Sequence, residues 1–245
     1  MQAVILAGGA GTRLRPFTMT VPKPLLPIGD KPILGILLDQ LKRQGFTRIQ
    51  MCVGYLAPLF QAWFGNGAAS GVEVEFVVEK QPLGTAGALG LIPDLDENFL
   101  VVNGDTLTDL NFPDLLAAHV ACGAYATIFS AKVEEFIDYG MVEFDPATRH
   151  LTRYTEKPTR CYHVSTGIYA LSRRILDYGS FGGERRLDMP DLLRAAADAG
   201  RPILCYTQES AYWRDIGRFD HYEAACKDYL ELPERFSGKV REQAR

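Results

Sequence analysis

Residues 6 to 27 read LAGGAGTRLRPFTMTVPKPLLP and begin at the end of a short apolar segment, QAVIL, at residues 2 to 6. Glycines let backbone N–H groups approach an anion closely, and a loop that runs from a strand towards a helix turns several such groups towards one phosphate. Arg13, Arg15 and Lys23 add positive charge to the same loop. The stretch therefore predicts a phosphate-binding loop, suited to a triphosphate, in an α/β fold.

The two common nucleotide-binding motifs do not describe this loop. No GK[ST] follows the glycines, so it is not a Walker A motif, and Leu14 stands where the dinucleotide fingerprint GxGxxG needs its third glycine. A purely structural turn is the alternative interpretation, and the arginines and the lysine weigh against it. Arg15 itself fits equally well as a solvated charge or an ion-pair partner.

Composition limits the class of protein. The 245 residues, 47% hydrophobic and 23% charged, fit one globular domain, which we predict at residues 1 to 232, followed by a polar tail at 233 to 245. No apolar run approaches the roughly 20 residues of a membrane span, and the start lacks the features of an export signal. We therefore expect a cytoplasmic protein that does not bind membranes.

Charge and cysteine content exclude further classes. The formal net charge is −4 and Lys and Arg form no long stripe, which argues against a nucleic-acid partner. The five cysteines are far apart and form no CxxC pattern, so they predict neither a disulfide framework nor a zinc site. The sequence leaves open whether the chain is a monomer or a homo-oligomer.

The periodicity of apolar residues predicts alternating strands and helices up to Asp105. Strands are predicted at residues 2–8, 48–54, 72–79 and 98–105, and helices at 33–45, 56–65 and 84–95. Such alternation is typical of a parallel sheet with helices on both faces. Gly45 is the predicted C-terminal cap of the first helix.

The pattern changes after Asp105. Strands are predicted at residues 125–133 and 164–172, a hairpin within 140–158, and helices at 189–200 and 220–232. The whole pattern predicts a three-layer, Rossmann-like α/β fold with a mixed, mainly parallel sheet. Hexapeptide repeats are absent from the sequence, so we expect no β-helix domain.

The sequence LAGGAGTRLRP...PKPLLPIGDKP resembles the GGxGTRL...PKP signature of the nucleotidyltransferases that make NDP-sugars from an NTP and a sugar 1-phosphate. The resemblance continues in the same order through PLGTAGAL, VVNGDTL, YGMVEFD, EKP, STGIY and YWRDIGRFDHYEAA, and it covers roughly residues 1 to 228. It implies the nucleotide-diphospho-sugar transferase fold and an enzyme that releases pyrophosphate.

The resemblance also implies roles for individual residues. Arg13 and Lys23 are implied as cations at the triphosphate, and Lys157 as the cation at the sugar phosphate. Asp105 and Asp215 are the implied ligands of Mg²⁺, which proteins bind through one or two carboxylates together with phosphates and water. The implied nucleotide-binding residues are Leu6, Ala7, Gly8, Gly9, Gly11, Thr12, Glu79, Gly84 and Thr85.

The sugar pocket is implied by a second set of residues. Glu156 would accept hydrogen bonds from sugar hydroxyls while the neighbouring Lys157 meets the phosphate as a point charge. The other implied residues of the sugar-phosphate site are Asn103, Tyr139, Gly140, Thr166 and Gly167. Many relatives have Asn-Ala-Gly where this chain has Ser165-Thr166-Gly167, so the identity of the sugar stays open.

Glu79 bears on the choice of nucleotide. Uridylyl and thymidylyl members of the family often have glutamine at this place, five residues before the glycine of PLGT. A carboxylate can accept hydrogen bonds from N1–H and N2–H₂ of guanine together, whereas uracil and thymine offer one N–H flanked by acceptors. This favours GTP, and EKQPLGTAGAL is more similar to the guanylyltransferases for mannose and D-glycero-D-manno-heptose 1-phosphates. An ion pair with Lys80 is the alternative role for Glu79.

Two other functions remain open. The first is a thymidylyl- or uridylyltransferase acting on glucose 1-phosphate or a related sugar phosphate. The second is a non-catalytic subunit that senses an NDP-sugar, although such a chain would be expected to lose the charges that the chemistry needs. Arg13, Lys23, Asp105, Lys157 and Asp215 are all present, so an enzyme is favoured.

Overall fold

The computed structural model describes residues 1–67, 71–181 and 185–237. Seven strands form the central sheet: β1 (Gln2–Leu6), β4 (Arg48–Val53), β5 (Glu73–Val78), β6 (Asn98–Asn103), β8 (Ala126–Phe136), β11 (Thr159–Ser172) and β12 (Ile203–Tyr206). Three short two-stranded pairs lie outside it: β2 (Pro27–Ile28) with β3 (Lys31–Pro32), β7 (Thr106–Thr108) with β13 (Trp213–Asp215), and β9 (Met141–Phe144) with β10 (Leu151–Thr155).

The central sheet is mixed and mainly parallel, as predicted. Its strand order is β12-β8-β11-β6-β1-β4-β5. Strand β11 runs antiparallel to both of its neighbours, β6 and β8, whereas the other four pairings are parallel. The carboxyl ends of β1, β4, β5 and β6 therefore lie at one edge of the sheet, which is where open α/β sheets bind ligands.

Helices cover both faces of the sheet. The described helices are α1 (Ile33–Arg43), α2 (Ala57–Phe64), α3 (Gly84–Gly87), α4 (Phe112–Ala121), α5 (Met189–Asp198), α6 (Phe219–Glu231) and α7 (Pro233–Ser237). Successive side chains of a strand point to opposite faces, and on β1 Ile5 packs in one core cluster with α1, α2 and α4 while Val4 packs in another with α5. The predicted three-layer arrangement is confirmed.

The first helix shows how the sequence sets these boundaries. Helix α1 buries Leu34, Leu37 and Leu41 against the sheet, at the spacing of one helical face. It ends at Arg43 with Gln44 as its C-cap, and the predicted cap, Gly45, follows directly with a φ of +85°, a left-handed conformation that glycine adopts without a steric cost. The N–H of Phe46 then donates to the carbonyl of Leu41 at 2.9 Å, which closes the helix end.

One predicted helix is shorter than expected. Of residues 84–95, only α3 and a following 3₁₀ turn, Ala88–Leu91, are helical. Ile92 is extended, because the residue before a proline is disfavoured in helical conformation and Pro93 follows it. Three glycines within seven residues also lower the helix propensity of this segment.

A third core cluster packs the glycine-rich loop against α6 and α7. Leu14 and Leu26 of the loop are buried with Ile216 and with Phe236 of α7. Residues 233–237, which the sequence places in the polar tail, thus form a helix that packs on the domain, and residues 238–245 lie outside the described residues. Among the described helices, none has both the length and the apolar character required to cross a bilayer.

Candidate active site

A cavity of about 650 Å³, here called the first cavity, opens at the carboxyl ends of β1, β5 and β6. It brings together every nucleotide-binding residue implied by the sequence with Arg13, Lys23, Asn103 and Asp105. Its lining consists of Leu6, Ala7, Gly8, Gly9, Ala10, Gly11, Thr12, Arg13, Lys23, Pro24, Glu79, Pro82, Gly84, Thr85, Asn103, Asp105, Arg186 and Asp188.

A lysine and two carboxylates meet at one end of the first cavity. The ammonium group of Lys23, which is 7% exposed, forms an ion pair with Asp105 and lies 3.7 Å from Oδ1 of Asp215. The pairing of β7 with β13 brings the two aspartates together, since Asp215 is the partner of Thr106 in that register. Residues from three distant parts of the chain thus form one charged cluster.

The two carboxylates fit a divalent cation. Both carboxylates lie near the ammonium group of Lys23. Carboxylate oxygens are hard ligands of the kind that Mg²⁺ prefers. Within the part of the chain that the structure describes, no group of three or more His, Cys, Asp or Glu side chains could hold a metal ion. A cation bound here would therefore complete its coordination with water and with substrate phosphates.

Arg13 lies at the same end of the first cavity. It is an exposed residue of the 3₁₀ turn Thr12–Leu14. A Cβ placed on Gly217 would lie 3.3 Å from both terminal guanidinium nitrogens of Arg13 and 2.5 Å from Oδ2 of Asp215. The backbone of Gly217 thus lies against both groups, and a side chain at this position would displace the carboxylate.

Glu79 lies half-buried at the other end of the first cavity. Its Oε2 accepts a hydrogen bond of 3.0 Å from the N–H of Leu83, and its Oε1 occupies the space that a Cβ on Gly8 would need. Burial raises the pKa of this carboxyl group, and the Leu83 N–H opposes that effect. Among the ion pairs of the described residues, none joins Glu79 to Lys80, the alternative role that the sequence left open.

The structure adds two residues to this end that sequence reasoning did not assign to the site. The N–H of Thr85 donates to Oδ1 of Asp188 at 3.1 Å, and the other carboxylate oxygen of Asp188 accepts from Arg186. Asp188 occupies the position before helix α5 without a capping hydrogen bond from its side chain, and the N–H of Met189 donates to Thr85 Oγ1 at 2.7 Å. No sequence motif marks Arg186, because only the packing of the 84–87 turn on residues 185–189 brings it to the cavity.

The residues implied for the sugar-phosphate site fall into two groups. Asn103 lines the first cavity, and its amide fills the space that a Cβ on Gly167 would need. The hydroxyl of buried Thr166 donates to the carbonyl of Phe129 at 2.7 Å, and the Thr166 carbonyl accepts from Trp213 Nε1 at 3.0 Å. The hydroxyl and the carbonyl of Thr166 are therefore engaged within the fold.

The second group lies on and beside the exposed β9–β10 hairpin. Glu156 accepts a hydrogen bond of 2.9 Å from the hydroxyl of Tyr154 and lies against Gly140, and Lys157 forms an ion pair of 2.7 Å with Asp138. Tyr139 is 79% exposed. These residues line neither cavity, and their charged groups are satisfied by partners within the hairpin region.

A second cavity, of about 720 Å³, adjoins the charged cluster through Asp215. Trp213 is half-buried and forms part of its wall. The opposite wall comes from the β8–β11 pair, where Lys132 is the direct partner of His163. This cavity is wide enough for a sugar and ends beside a candidate metal ligand.

The structure combines a mixed, mainly parallel sheet with a glycine- and arginine-containing loop that borders the Lys23–Asp105–Asp215 cluster, which is the combination that the family resemblance implied. The chain belongs to the nucleotidyl transferase family, since residues 2 to 231 match the model of that family. The resemblance inferred from the motifs is thus confirmed.

Three relatives illustrate the family. A UTP–glucose-1-phosphate uridylyltransferase of Synechocystis sp. is 34% identical over 94% of this chain and 63% of its own length. A mannose-1-phosphate guanyltransferase of Schizosaccharomyces pombe is 40% identical over 94% of this chain and 62% of its own. This chain thus spans somewhat less than two thirds of these curated relatives. The crystal structure of HddC from Yersinia pseudotuberculosis complexed with GMP-PN is 26% identical, with a TM-score of 0.71 and coverage of 93% of this chain and 99% of that one.

Proposed function

We propose that the chain is a sugar-1-phosphate nucleotidylyltransferase that converts an NTP and a sugar 1-phosphate to an NDP-sugar and pyrophosphate. The observation that carries the proposal is the cluster of Lys23, Asp105 and Asp215 at the end of a cavity lined by the glycine-rich loop. A loop of backbone N–H groups suits a triphosphate, and a lysine beside two carboxylates suits the phosphates and a cation that would react there.

The reaction needs positioning and positive charge and no general base. An oxygen of the sugar 1-phosphate attacks the α-phosphorus in line, the bond from that phosphorus to the β-phosphate oxygen breaks, and pyrophosphate leaves. A phosphate nucleophile is already ionised at neutral pH. Arg13 and Lys23 reduce the repulsion between two polyanions and stabilise the charge on the transferring group.

Mg²⁺ is the cation that we propose for Asp105 and Asp215. When bound, it supplies charge neutralisation and Lewis-acid polarisation of the transferring phosphate. The role of the protein is to hold both carboxylates in place, which it does through the β7–β13 pair and the ammonium group of Lys23.

GTP is the proposed nucleotide. The support is Glu79, whose Oε1 points into the first cavity beside Gly8 while Oε2 is held by the N–H of Leu83. A carboxylate fixed in this way can accept from N1–H and N2–H₂ of guanine. The relatives named for guanylyl transfer agree with this choice, and the relative named for uridylyl transfer keeps the pyrimidine alternative open.

A mannose- or heptose-type 1-phosphate is the proposed acceptor, and the second cavity is its proposed site. Its support is the position of Trp213 and Asp215 in one wall, which puts an aromatic face beside a candidate metal ligand. Lys157 and Glu156 lie on the neighbouring hairpin, and we expect their present partners to be exchanged for the sugar phosphate when it binds.

The test is a matrix of activities. Pyrophosphate release is measured with GTP, UTP, dTTP, ATP and CTP, each combined with the 1-phosphates of mannose, D-glycero-D-manno-heptose and glucose. The proposal expects the highest kcat/KM with GTP and a mannose-type sugar. A maximum with UTP or dTTP would establish the pyrimidine alternative, and thermal stabilisation by an NDP-sugar without any pyrophosphate release would establish a sensing subunit.

A further inference from the structure

We propose that Arg186 reads the acceptor edge of guanine, O6 and N7, and so distinguishes guanine from adenine. This inference rests on the proposed guanylyl transfer. Arg186 lines the first cavity together with Glu79, Gly84 and Thr85. It is the one positively charged side chain among these residues and their neighbour Asp188, and no role has yet been assigned to it.

The guanidinium group of Arg186 is oriented by Asp188. Both Nε and Nη2 of Arg186 lie 3.1 Å from Oδ2 of the Asp188 carboxylate. This contact uses the edge of the guanidinium group formed by Nε and Nη2. It leaves both N–H groups of Nη1 and the second N–H of Nη2 free to donate elsewhere. The Arg186 side chain is 70% exposed and lines the first cavity, so these donors are accessible to a ligand bound there.

Asp188 also ties Arg186 to the turn that would contact the base. Its other oxygen, Oδ1, accepts the N–H of Thr85, and Glu79 accepts the N–H of Leu83 from the same turn. Residues 83 to 85 therefore contact Glu79 through Leu83 and the Asp188–Arg186 pair through Thr85. The Glu79 carboxylate, an acceptor, and the Arg186 guanidinium group, a donor, are thus both linked to the 83–85 turn.

These two charges match the edges of guanine. Glu79 suits N1–H and N2–H₂, and the outer N–H groups of Arg186 suit the adjacent acceptors O6 and N7, a pairing that arginine commonly makes with guanine. Adenine carries an amino donor in place of O6, which would face the donors of Arg186. Glu79 disfavours uracil and thymine, and also adenine, whose N1 is an acceptor; Arg186 adds discrimination at the position of O6.

Contact with the triphosphate is the competing role for Arg186. The phosphate-binding part of the first cavity has its own cations, Arg13 and Lys23, beside Asp105 and Asp215. Arg186 is hydrogen-bonded instead to the group that holds Thr85. The geometry therefore favours the base over the phosphates.

The test compares GTP with 7-deaza-GTP, which lacks N7, in the intact chain and its Arg186→Ala variant. We expect the wild type to favour GTP over 7-deaza-GTP by about tenfold in kcat/KM, the discrimination typical of such a pair. In Arg186→Ala this ratio should fall to about one, and the preference for GTP over ATP should fall by at least tenfold. The matched control is Arg185→Ala, which removes the same charge from the adjacent exposed position that does not line the cavity.

Three outcomes would overturn the inference. An unchanged GTP to 7-deaza-GTP ratio in Arg186→Ala would show that Arg186 does not contact N7. An equal loss with every NTP would assign it to the phosphates. The wild-type ranking of NTPs separates the two proposals: a preference for a pyrimidine NTP would refute guanylyl transfer and this inference together, whereas a GTP preference that is insensitive to Arg186 would refute this inference alone.

Discussion

The ammonium group of Lys23 and the carboxylate of Asp105, which lie 82 positions apart in the sequence, form an ion pair at one end of the first cavity. Asp215 lies 3.7 Å from the same nitrogen, so one buried cation holds two carboxylates in place. This shared arrangement orients the two oxygen donors before any substrate binds, and such preorganised charge is a principal source of catalysis.

Replacing Asp105 should therefore change the metal dependence. In Asp105→Asn we expect turnover to fall at least 100-fold and the Mg²⁺ concentration for half-maximal activity to rise, because one of two charged ligands is lost. Steady-state assays across a Mg²⁺ titration measure both effects. Asp220→Asn, which removes an exposed carboxylate paired with Arg218, is the control and should behave as the wild type. Near-normal turnover in Asp105→Asn would remove Asp105 from the site.

Arg13 and Arg15 provide a matched comparison on the loop. Both are exposed, but only Arg13 lines the first cavity beside Asp215. Loss of one donor that stabilises a developing anion typically costs 10²–10³-fold in rate. We expect Arg13→Ala to lose about that much kcat/KM and Arg15→Ala to lose less than tenfold. Equal losses in the two variants would contradict the role given to Arg13.

Gly8 should be sensitive to a single methyl group. A Cβ at this position would clash with Oε1 of Glu79, so Gly8→Ala must displace the carboxylate. We expect the KM for GTP to rise about tenfold, on the scale of one lost charged hydrogen-bonding contact. In a Glu79→Ala background the clash is absent, and Gly8→Ala should then have little further effect. Additive effects in this double-mutant cycle would show that the two residues act independently.

The pH dependence of GTP binding should report on Glu79. Burial raises the pKa of its carboxyl group above the ordinary value of about 4.3. The ionised form accepts from guanine, so GTP binding is complete above the raised pKa and weakens as the pH falls through it. We expect the KM for GTP to increase as the pH is lowered towards the raised pKa in the wild type. In Glu79→Gln the KM for GTP should depend less on pH. The same variant should shift its preference away from GTP, and an unchanged NTP ranking would exclude Glu79 as the residue that reads the base.

His119 should make the fold acid-sensitive. Its ring is fully buried between Thr127 Oγ1, at 2.9 Å from Nδ1, and Asn98 Oδ1, at 3.2 Å from Nε2. Burial, with a smaller effect of Arg174, lowers the pKa of His119 to about 4. The unfolded chain, with a pKa near 6.5, then binds the additional proton between about pH 6.5 and 4.

Stability is consequently expected to fall as the pH drops through that window, by up to about 1.4 kcal/mol per pH unit from this group. Denaturant unfolding at several pH values measures the slope, and NMR titration of the ring identifies the residue. His119→Gln should reduce the slope, and a ring that titrates near pH 6.5 in the folded protein would refute the assignment.

The α/β alternation predicted the sheet and the major helices because both follow from local periodicity. The helix expected at 84–95 was too long, since Pro93 and three glycines override an otherwise apolar pattern. The hairpin at 140–158 was predicted, but its separation from both cavities could not be, because the position of a hairpin relative to a sheet is set by packing across distant segments.

The sequence by itself determined the glycine-rich loop, the family motifs and the candidate site residues Arg13, Lys23, Glu79 and Asp105, because these are properties of residue type and local spacing. Only the tertiary structure decided that Lys23 holds Asp105 and Asp215 together and that Glu79 lies against Gly8. It alone brought Arg186 into the lining of the first cavity with Glu79. Such contacts join segments up to about 200 residues apart, and they depend on strand register and burial, which no local pattern encodes.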